Sequence, residues 1–445
     1  MAPFRSLSAN ELQARRDKLI AALDAIRAEK LGLDLTRGKP APDQLDLSMA
    51  MDSILDGFYL LQDGTDVRNY GGLRGIPEAR AFGAEILGAS PDQVLAGGPS
   101  SLTLMYNYVH FAMHFGASRF GEKSIGEKGV DGSGQSWRSE AQAAGSNIKF
   151  LCPVPGYDRH FAICELMDID MINVPVIEGG PDMDQVEALI DADPLIKGIW
   201  CVPKYSNPTG HTYSSATVKR LAALSKRAGP NFRVIWDNAY VVHHLSADED
   251  QLASVYTAAD EAGTADSVIS FASTSKITYA GAGISFMAAS EANLAPFEAF
   301  LGVQMVGFDK VNQLRHVRFL KDKETLAQHM QAHRRLLEPK FEMVQSVLTR
   351  ELAGKDIATW TDPQGGYFVS LDTQPGVAGA TVALAESVGV KLTPAGATFP
   401  HGRDPEDKNI RIAPTFPSID ALAKALSVLT VCLQLSTIDH LLASS

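Results

Sequence analysis

Short apolar runs alternate with helical patterns through the middle of this chain, and this alternation constrains the fold more than any other feature. The apolar runs cover residues 149–152, 171–176, 198–202, 233–236 and 268–271. Helical patterns lie between several of them, such as 182–193 and 214–228. Strands that alternate with helices are joined by crossover connections, so the pattern predicts a largely parallel α/β sheet. Ligands of such sheets bind at the carboxyl ends of the strands, so the residues after each run are candidates for the chemistry.

The remaining sequence predicts a second structural unit. Residues 10–31 form an amphipathic helical pattern, and the C-terminal third is first strongly helical and then gives short strand-like pieces and a final helix. We therefore predict a large domain over residues 50–320 and a smaller α+β domain made of residues 1–49 and 321–445. The hydrophilic segment 117–148, rich in glycine, serine and charge, is predicted to be a surface insertion.

The charge balance argues against two classes of partner. The 445 residues carry a formal net charge of −12, from 40 Lys and Arg against 52 Asp and Glu, and they contain no long basic run. This balance argues against nucleic acid or an anionic membrane surface as a partner. The first residues contain no apolar segment, and no stretch reaches 18 apolar residues, so a cytoplasmic protein without a membrane span is predicted. The four cysteines form no CxxC pair, which indicates small buried side chains: Cys152, Cys164, Cys201 and Cys432.

Polar residues come directly or within five residues after three of the apolar runs. Asn207 and Gly210 belong to the sequence Asn-Pro-Thr-Gly, which by itself only predicts a turn. Asp237 is either a helix N-cap or a buried carboxylate that pairs with a cation, such as a protonated pyridine nitrogen. Lys276 lies between an apolar run and a glycine turn, and hydroxyl residues flank it. It is either an ordinary strand-end lysine or a desolvated amine of lowered pKa that forms a Schiff base beside a phosphate.

Taken together, these motifs resemble a known family. Asn207-Pro-Thr-Gly, Asp237-Asn-Ala-Tyr240 and Ser273-x-Ser-Lys276 occur in the order and at the spacings of the class I aminotransferases of PLP fold type I. The residue sequences of the motifs are most similar to those of the bacterial aspartate aminotransferases of subgroup Ic. The resemblance implies pyridoxal 5'-phosphate (PLP) as the cofactor. It also implies an α/β fold in which a large domain with a mostly parallel seven-stranded sheet accompanies a smaller α+β domain.

The resemblance assigns roles around the cofactor ring. Lys276 would form the Schiff base with PLP, and Asp237 would face the pyridine nitrogen and keep it protonated. Asn207 and Tyr240 would hydrogen-bond the phenolic oxygen of the ring, and Tyr157 would stack on the ring. Lys276, Asp237 and Tyr240 are the predicted catalytic residues.

The resemblance also assigns the phosphate site. The hydroxyls and N–H groups of Ser100 and Ser101, at the start of a helix, would cradle the phosphate together with Ser273 and Ser275. Tyr70 would reach the phosphate of a partner subunit. The implied assembly is therefore a homodimer with shared active sites.

Substrate recognition is assigned in the same way. Arg411 would hold the α-carboxylate, because a planar bidentate donor suits a carboxylate. Asn207 would contribute to the substrate site, and Gly38 would close over it. The residue that reads the second carboxylate of aspartate is not identifiable from the motifs, and Arg37 and Arg318 are the candidates considered.

One position departs from the family pattern. Most relatives carry an arginine seven or eight residues after the Schiff-base lysine to bind the phosphate, and here those positions are Gly283 and Ile284. The phosphate charge must then be met by hydroxyls, N–H groups or another cation, for which Lys204 is a candidate.

The implied activity is the transfer of the amino group of L-aspartate to 2-oxoglutarate, which yields oxaloacetate and L-glutamate by a ping-pong reaction. Transamination of another amino acid, such as alanine or an aromatic one, stays open, and so does PLP-dependent β-elimination or decarboxylation. A transcription regulator with an aminotransferase-like sensor domain is disfavoured, because the residues before Arg37 are few and not strongly basic. A dinucleotide site at Gly281-Ala-Gly283 is disfavoured because no GxGxxG continues.

The histidines add two further expectations. His329 and His333 are spaced i, i+4, which could bind zinc, but no H-E-x-x-H pattern is present and a solvated helix face is predicted. His160 lies near the Tyr157 turn and is predicted to support the site from behind.

Overall fold

An eight-stranded sheet forms the centre of the computed structural model, which describes residues 3–116, 136–229 and 231–444. The described strands are β1 (Leu33–Asp34), β2 (Val94–Ala96), β3 (Lys149–Val154), β4 (Asp170–Ile177), β5 (Gly180–Pro181), β6 (Ile196–Cys201), β7 (Arg233–Asp237), β8 (Val268–Ser273), β9 (Ser285–Ala288), β10 (Ala358–Trp360), β11 (Val369–Thr373), β12 (Val390–Lys391) and β13 (Asn409–Ile412). The order in the large sheet is β2-β9-β8-β7-β6-β3-β4-β5. Neighbours among β3, β4, β6, β7 and β8 pair in parallel, and β2–β9, β9–β8 and β4–β5 are antiparallel.

The predicted α/β fold with a mostly parallel sheet is confirmed, and the strand count exceeds the expected seven by one. The additional strand is β5, which has two residues and folds back onto the end of β4, where Gly180 pairs with Ile177. The backbone reverses at Gly179 and Gly180, whose φ angles are +82° and +131°. Only glycine adopts such angles without steric cost, so this edge hairpin depends on the glycine pair and not on strand-forming side chains.

Helices cover both faces of the large sheet. The described α-helices are α1 (Ala9–Ala28), α2 (Pro42–Asp46), α3 (Pro77–Leu87), α4 (Ser101–His114), α5 (Trp137–Ala144), α6 (Asp158–Leu166), α7 (Met183–Ala192), α8 (Ser215–Ala223), α9 (Ser225–Ala228), α10 (Val255–Ala262), α11 (Glu291–Gln304), α12 (Lys310–Leu320), α13 (Lys323–Leu352), α14 (Ala378–Ser387) and α15 (Ile419–Ala443). Successive strand residues point to opposite faces. Phe150 and Cys152 of β3 therefore pack with α4, α6 and α11, whereas Leu151 packs with α7, α8 and α10. Burial on both faces explains why these strands are continuous apolar runs.

A second core lies beside the large sheet. It combines α1, α13, α14 and α15 with a three-stranded antiparallel sheet of order β10-β11-β13. The N-terminal segment takes part, because β1 pairs in parallel with β12 and Phe4, Leu12 and Leu23 are buried in this core. This second unit agrees in character with the predicted α+β domain, and the boundaries at residues 49/50 and 320/321 stay a prediction.

By length and composition, α15 is the one described helix that could cross a membrane. However, 72% of its most apolar window is buried inside the protein, where Leu426, Leu429 and Leu433 fill the second core. Such burial is the pattern of a core helix.

The predicted surface insertion at residues 117–148 is only partly described, since 117–135 lie outside the described residues. Within the remainder, α5 is not a solvated loop. Its first residue, Trp137, is 3% exposed, packs against Phe150 with ring centroids 5.4 Å apart, and donates from Nε1 to Asn231 O at 2.9 Å. Residues 137–144 thus belong to the helical layer on the sheet.

Candidate active site

The carboxyl ends of β6, β7 and β8 open onto a cavity of about 320 Å³. Its lining residues are Pro99, Ser100, Ser101, Leu102, Met105, Tyr157, Val202, Asn207, Asp237, Ala239, Tyr240, Ser273, Ser275, Lys276, Ala280 and Gly281. Nine of the ten predicted cofactor-binding residues are in this set. Tyr70 is the exception, because it is 85% exposed on the surface of this chain.

The turn after β6 presents Asn207 to the cavity. It closes through hydrogen bonds from Gly210 N to Ser206 O at 2.6 Å and from Ser206 N to His211 O at 3.0 Å. Gly210 has a φ of +71°, and a Cβ at this residue would lie 2.3 Å from Pro363. Glycine is therefore required where the chain reverses.

Asp237 ends β7 as a buried carboxylate and not as a helix N-cap. It is 2% exposed, and its Oδ2 lies 3.1 Å from Nε2 of His160. The His160 ring in turn stacks on Trp200 with centroids 4.2 Å apart, and Trp200 Nε1 donates to Cys164 Sγ at 3.2 Å. The other carboxylate oxygen, Oδ1, is buried without a hydrogen-bond partner. A buried acceptor of this kind is costly unless a donor reaches it, so the carboxylate is arranged to receive a cationic or N–H group.

Lys276 lines the same cavity as this carboxylate. Burial lowers the pKa of its amine below the ordinary lysine value, and the Asp237 carboxylate partly raises that pKa again. The amine lies 5.0 Å from the ring centroid of Tyr240. Burial raises the pKa of Tyr240 well above its usual range, so its hydroxyl stays protonated and can donate. The amine is thus closer to its neutral, nucleophilic form than a solvated lysine would be.

Hydroxyls and a helix N-terminus form another part of the cavity wall. Ser100 is the N-cap residue of α4, and Ser275 Oγ donates to Pro99 O at 2.7 Å. Ser273 Oγ lies 3.2 Å from Ser275 Oγ. Free N–H groups at a helix start, with hydroxyls around them, suit an anion such as a phosphate.

Among the described residues that line this cavity, no side chain replaces the missing arginine of the family pattern. Among the described residues that line it, Lys276 is the one cation. The candidate Lys204 lies with its Nζ 3.8 Å from Glu249 and is not part of the lining. Gly283 packs so closely that a Cβ would lie 3.0 Å from Ser275 N, and Ile284 is 1% exposed in the apolar core. Both positions are filled by packing.

Arg411 lies in the middle of β13 beside the Asn207 turn. It is 7% exposed, and Nη1 donates to Asn207 Oδ1 at 3.3 Å. Its guanidinium lies over the Phe368 ring at 4.9 Å. Gly38 is on that ring too, since a Cβ on Gly38 would lie 2.5 Å from it. The structure therefore brings Gly38 and Arg411 together through Phe368.

Arg37 and Arg318 are placed less favourably. Arg37 is exposed, and Arg318 Nη1 donates to Leu55 O at 3.3 Å. Neither lines the cavity. No side chain that could bind the second carboxylate of aspartate is therefore found among the described residues that line this cavity.

Sequence reasoning missed several residues of the site. Phe368 supports Arg411, and Asp158 Oδ1 lies 3.5 Å from Arg411 Nη1. His243 and Tyr367 contact the carbonyl oxygen of Lys276 at 3.2 and 3.5 Å. The local signal for Tyr367 and Phe368 was the glycine pair that precedes them. The Tyr205 side chain packs on these glycines, Gly365 and Gly366.

The histidine pair on α13 was wrongly expected on a solvated face. His333 is 1% exposed, and both His329 Nε2 and His333 Nε2 lie within 2.8 Å of Ile277 O. They point at a main-chain carbonyl, and the described residues contain no group of three or more ligands that could hold a metal ion.

The residues present fit PLP. Asp237 offers an unpartnered buried oxygen for a protonated pyridine nitrogen, and Ser100 and Ser275 offer hydroxyls beside a helix start for a phosphate. The Lys276 amine and the Tyr157 ring line the same cavity. Each functional group of the cofactor thus has a chemically matched neighbour.

Comparisons with known proteins give a consistent picture over the full length. The sequence profile of a family described as "Aspartate amino-transferase" matches residues 7–444. A protein of Mycolicibacterium smegmatis described as a putative aminotransferase is 47% identical over 442 residues, which covers 99% of each chain. An aspartate aminotransferase of Corynebacterium glutamicum is 41% identical over 448 residues, which covers 99% of this chain and 98% of that one. The crystal structure of an aspartate transaminase from Corynebacterium glutamicum has a TM-score of 0.90 at 40% identity and covers 99% of both chains.

Proposed function

The chain belongs to the aspartate aminotransferase family, and from that premise we propose that it transfers the amino group of L-aspartate to 2-oxoglutarate with PLP as cofactor. Membership confirms the resemblance carried by the sequence motifs, and the chain is a transaminase. The observation that supports the cofactor best is the buried, unpartnered Oδ1 of Asp237 in one cavity with Lys276. The proposed products are oxaloacetate and L-glutamate, formed in a ping-pong reaction.

The proposed cofactor contacts follow from the cavity. Asp237 would hold the pyridine nitrogen in its protonated form, and His160 would keep the carboxylate oriented. Ser100, Ser101 and Ser275 would hold the phosphate. Bound PLP supplies an electron-accepting ring that stabilises negative charge at the α-carbon of the amino acid.

The chain itself supplies binding and proton transfer. Lys276 Nζ, as a neutral amine, would take the proton from the substrate α-carbon, and general base catalysis of this kind contributes about 10²–10⁴-fold. Burial prepares it for this role by lowering its pKa. Arg411 would bind the α-carboxylate, while Tyr240 and Asn207 would donate to the ring oxygen of the cofactor. Gly38 would close over the substrate, and its lack of a side chain leaves room for the Phe368 ring.

Exposed apolar side chains support the homodimer. Met49, Phe58, Leu60, Val303 and Val306 are each at least 58% exposed in this single chain. The segments around Tyr70 and Val306 are adjacent, because a Cβ on Gly307 would lie 2.7 Å from Gly71 O. We propose that this surface pairs with a second copy and that Tyr70 reaches the partner's phosphate site. A cytoplasmic location stays a prediction.

Aspartate as the amino donor rests on the full-length relative that bears this name. A panel of single half-reactions tests the proposal, in which the PLP-loaded enzyme is mixed with aspartate, glutamate, alanine or tyrosine and its near-visible absorption is followed. Rapid bleaching by aspartate and glutamate, and slow bleaching by the other two, is expected.

Other outcomes contradict specific parts of the proposal. Equal rates with alanine or tyrosine would overturn the dicarboxylate specificity. Catalytic formation of a keto acid from aspartate without 2-oxoglutarate would favour elimination or decarboxylation. If no near-visible absorption stayed with the protein after incubation with PLP and removal of the unbound PLP, the cofactor itself would be overturned.

A further inference from the structure

Four histidines surround the turn that follows Lys276. His243 comes from the loop after β7, His316 from α12, and His329 and His333 from α13. Three of the four are nearly or fully buried, at 0–4% exposure. Such burial of ionisable side chains is unusual unless their hydrogen bonds are needed.

The histidines satisfy consecutive acceptors of this turn. The carbonyl oxygen of Lys276 lies 3.2 Å from His243 Nε2. The carbonyl oxygen of Ile277 lies 2.6 Å from His329 Nε2 and 2.8 Å from His333 Nε2. The turn is also closed internally by its own N–H groups, so the imidazoles act on the carbonyls that point out of it.

The hydrogen-bond pattern defines which nitrogen of His333 carries the proton. Gln44 Nε2 lies 3.2 Å from His333 Nδ1, which must therefore accept, so His333 Nε2 carries the proton that it donates to Ile277 O. Burial lowers the pKa of His333 to about 4 and that of His243 to about 3, and it also lowers the pKa of His329. All three rings are thus neutral donors at neutral pH.

The neutral state of these imidazoles also avoids a further change in the pKa of the Lys276 amine. The His243 ring is close enough to Lys276 for the charge of that amine to lower the histidine pKa. A second positive charge on this ring would further depress the Lys276 pKa. Neutral imidazoles anchor the turn without adding charge beside the site, whereas arginine or lysine donors would add it.

The geometry points to His243, His329 and His333 as positioning residues for Lys276. Through neutral Nε2–H donors they fix the main chain from which the Lys276 side chain extends, and they thereby hold its amine opposite Asp237. This inference rests on the proposed role of Lys276. Because catalytic groups must be held within a fraction of an ångström, loss of the anchors should reduce reactivity even where the fold survives.

The shared carbonyl of Ile277 gives a distinctive test. His329→Leu and His333→Leu are compared singly and together, since each single variant leaves one donor on the carbonyl and the double variant leaves none. We expect a fall in kcat of less than about threefold for each single variant and of more than about tenfold for the double variant, with KM changed by less than about threefold. The paired substitution His329→Gln with His333→Gln keeps an N–H donor and should restore most of kcat.

A second readout does not depend on turnover. In the cofactor-free full-length chain, the pH dependence of acylation of Lys276, followed by mass spectrometry of its peptide, reports the pKa of the amine. The double leucine variant should shift this midpoint by more than about half a pH unit. If the wild type fails to transaminate but this shift is found, the proposed function fails and the anchoring stands.

Leu348→Ala is the matched control, because Leu348 is fully buried on the same helix and has no bond to the turn. It should lower Tm without moving the Lys276 midpoint. If the double leucine variant lowers Tm as the control does, yet keeps kcat within threefold and the midpoint unchanged, the inference is overturned. If the double leucine variant does not fold, His243→Leu and His243→Gln are compared instead. The leucine variant should lower kcat and shift the pH midpoint of Lys276 acylation, and the glutamine variant should largely preserve both.

Discussion

Asp237→Asn should separate the stability of this protein from its ability to hold the cofactor. The carboxylate is 2% exposed and has one partner, His160, while its Oδ1 is buried and unpartnered. Leaving a buried charged acceptor without a donor costs about 1–3 kcal/mol or more. The neutral amide relieves part of that cost, so the cofactor-free chain should gain about 1–2 kcal/mol. For a chain of 445 residues this corresponds to a Tm increase of about 1–2 °C.

The same substitution should weaken cofactor binding. A hydrogen bond to a charged group contributes about 1.5–3 kcal/mol, so the Kd of PLP should rise about 10- to 100-fold. Thermal unfolding with and without PLP, together with a PLP titration, measures both effects. The stabilisation that PLP confers on the wild type should largely disappear in the variant.

Asp404→Asn is the matched control for this experiment. Asp404 Oδ2 accepts from Lys408 N at 2.8 Å and from Asn409 N at 2.9 Å, so its carboxylate is already satisfied by the main chain. Replacement of this carboxylate by an amide should lower Tm equally with and without PLP. The reasoning would be refuted if Asp237→Asn destabilised the cofactor-free chain as this control does, or if it left the Kd of PLP unchanged.

Three further substitutions or conditions give expected outcomes. Gly38→Ala places a Cβ 2.5 Å from the Phe368 ring, so steady-state kinetics should show KM for the amino acid raised about tenfold with a smaller change in kcat. The buried side chains of His243, His316 and His333 have pKa values lowered to about 3 or 4. As the pH falls below about 6.5, these histidines therefore bind protons in the unfolded chain before they do so in the folded one. They should reduce the unfolding free energy by about 4 kcal/mol per pH unit down to about pH 4, and in urea titrations His316→Gln should remove about a third of that slope. Tyr70→Ala and Lys276→Ala should each abolish activity, and mixing the two proteins should restore it through hybrid dimers with one intact site; no recovery despite exchange of subunits would refute shared sites.

The chemistry at the strand ends could be predicted because it is local in sequence. Asp237 ends β7, and Lys276 follows the end of β8 by three residues, so their positions follow from strands that are buried on both faces of the sheet. The turn at Asn207 and Gly210 is likewise encoded by its own residues.

The remaining features depend on contacts between distant segments. His329 and His333 on α13 were assigned to a solvated face because no H-E-x-x-H pattern is present. The sequence could not show their partner, which is a main-chain carbonyl more than 50 residues earlier. Phe368 was missed because its role arises from two neighbours, Gly38 and Arg411, that are far apart in the chain. The two-residue β5 carries no strand-forming side chains, and its pairing comes from the glycine turn before it.

The participation of α1 in the second core has a consequence for how the chain is made. Its side chains pack with α15, and ion pairs join Arg16 to Asp439 at 2.5 Å and Glu29 to Lys424 at 2.6 Å. At ribosomal speeds of about 5–20 residues per second, α1 emerges about 20–80 s before α15 is complete. The large sheet can be assembled during that interval, whereas α1 stays without its partner until α15 has been made. During that interval, Leu12, Leu23 and Ile26 of α1 would be exposed apolar targets for a chaperone that binds nascent chains.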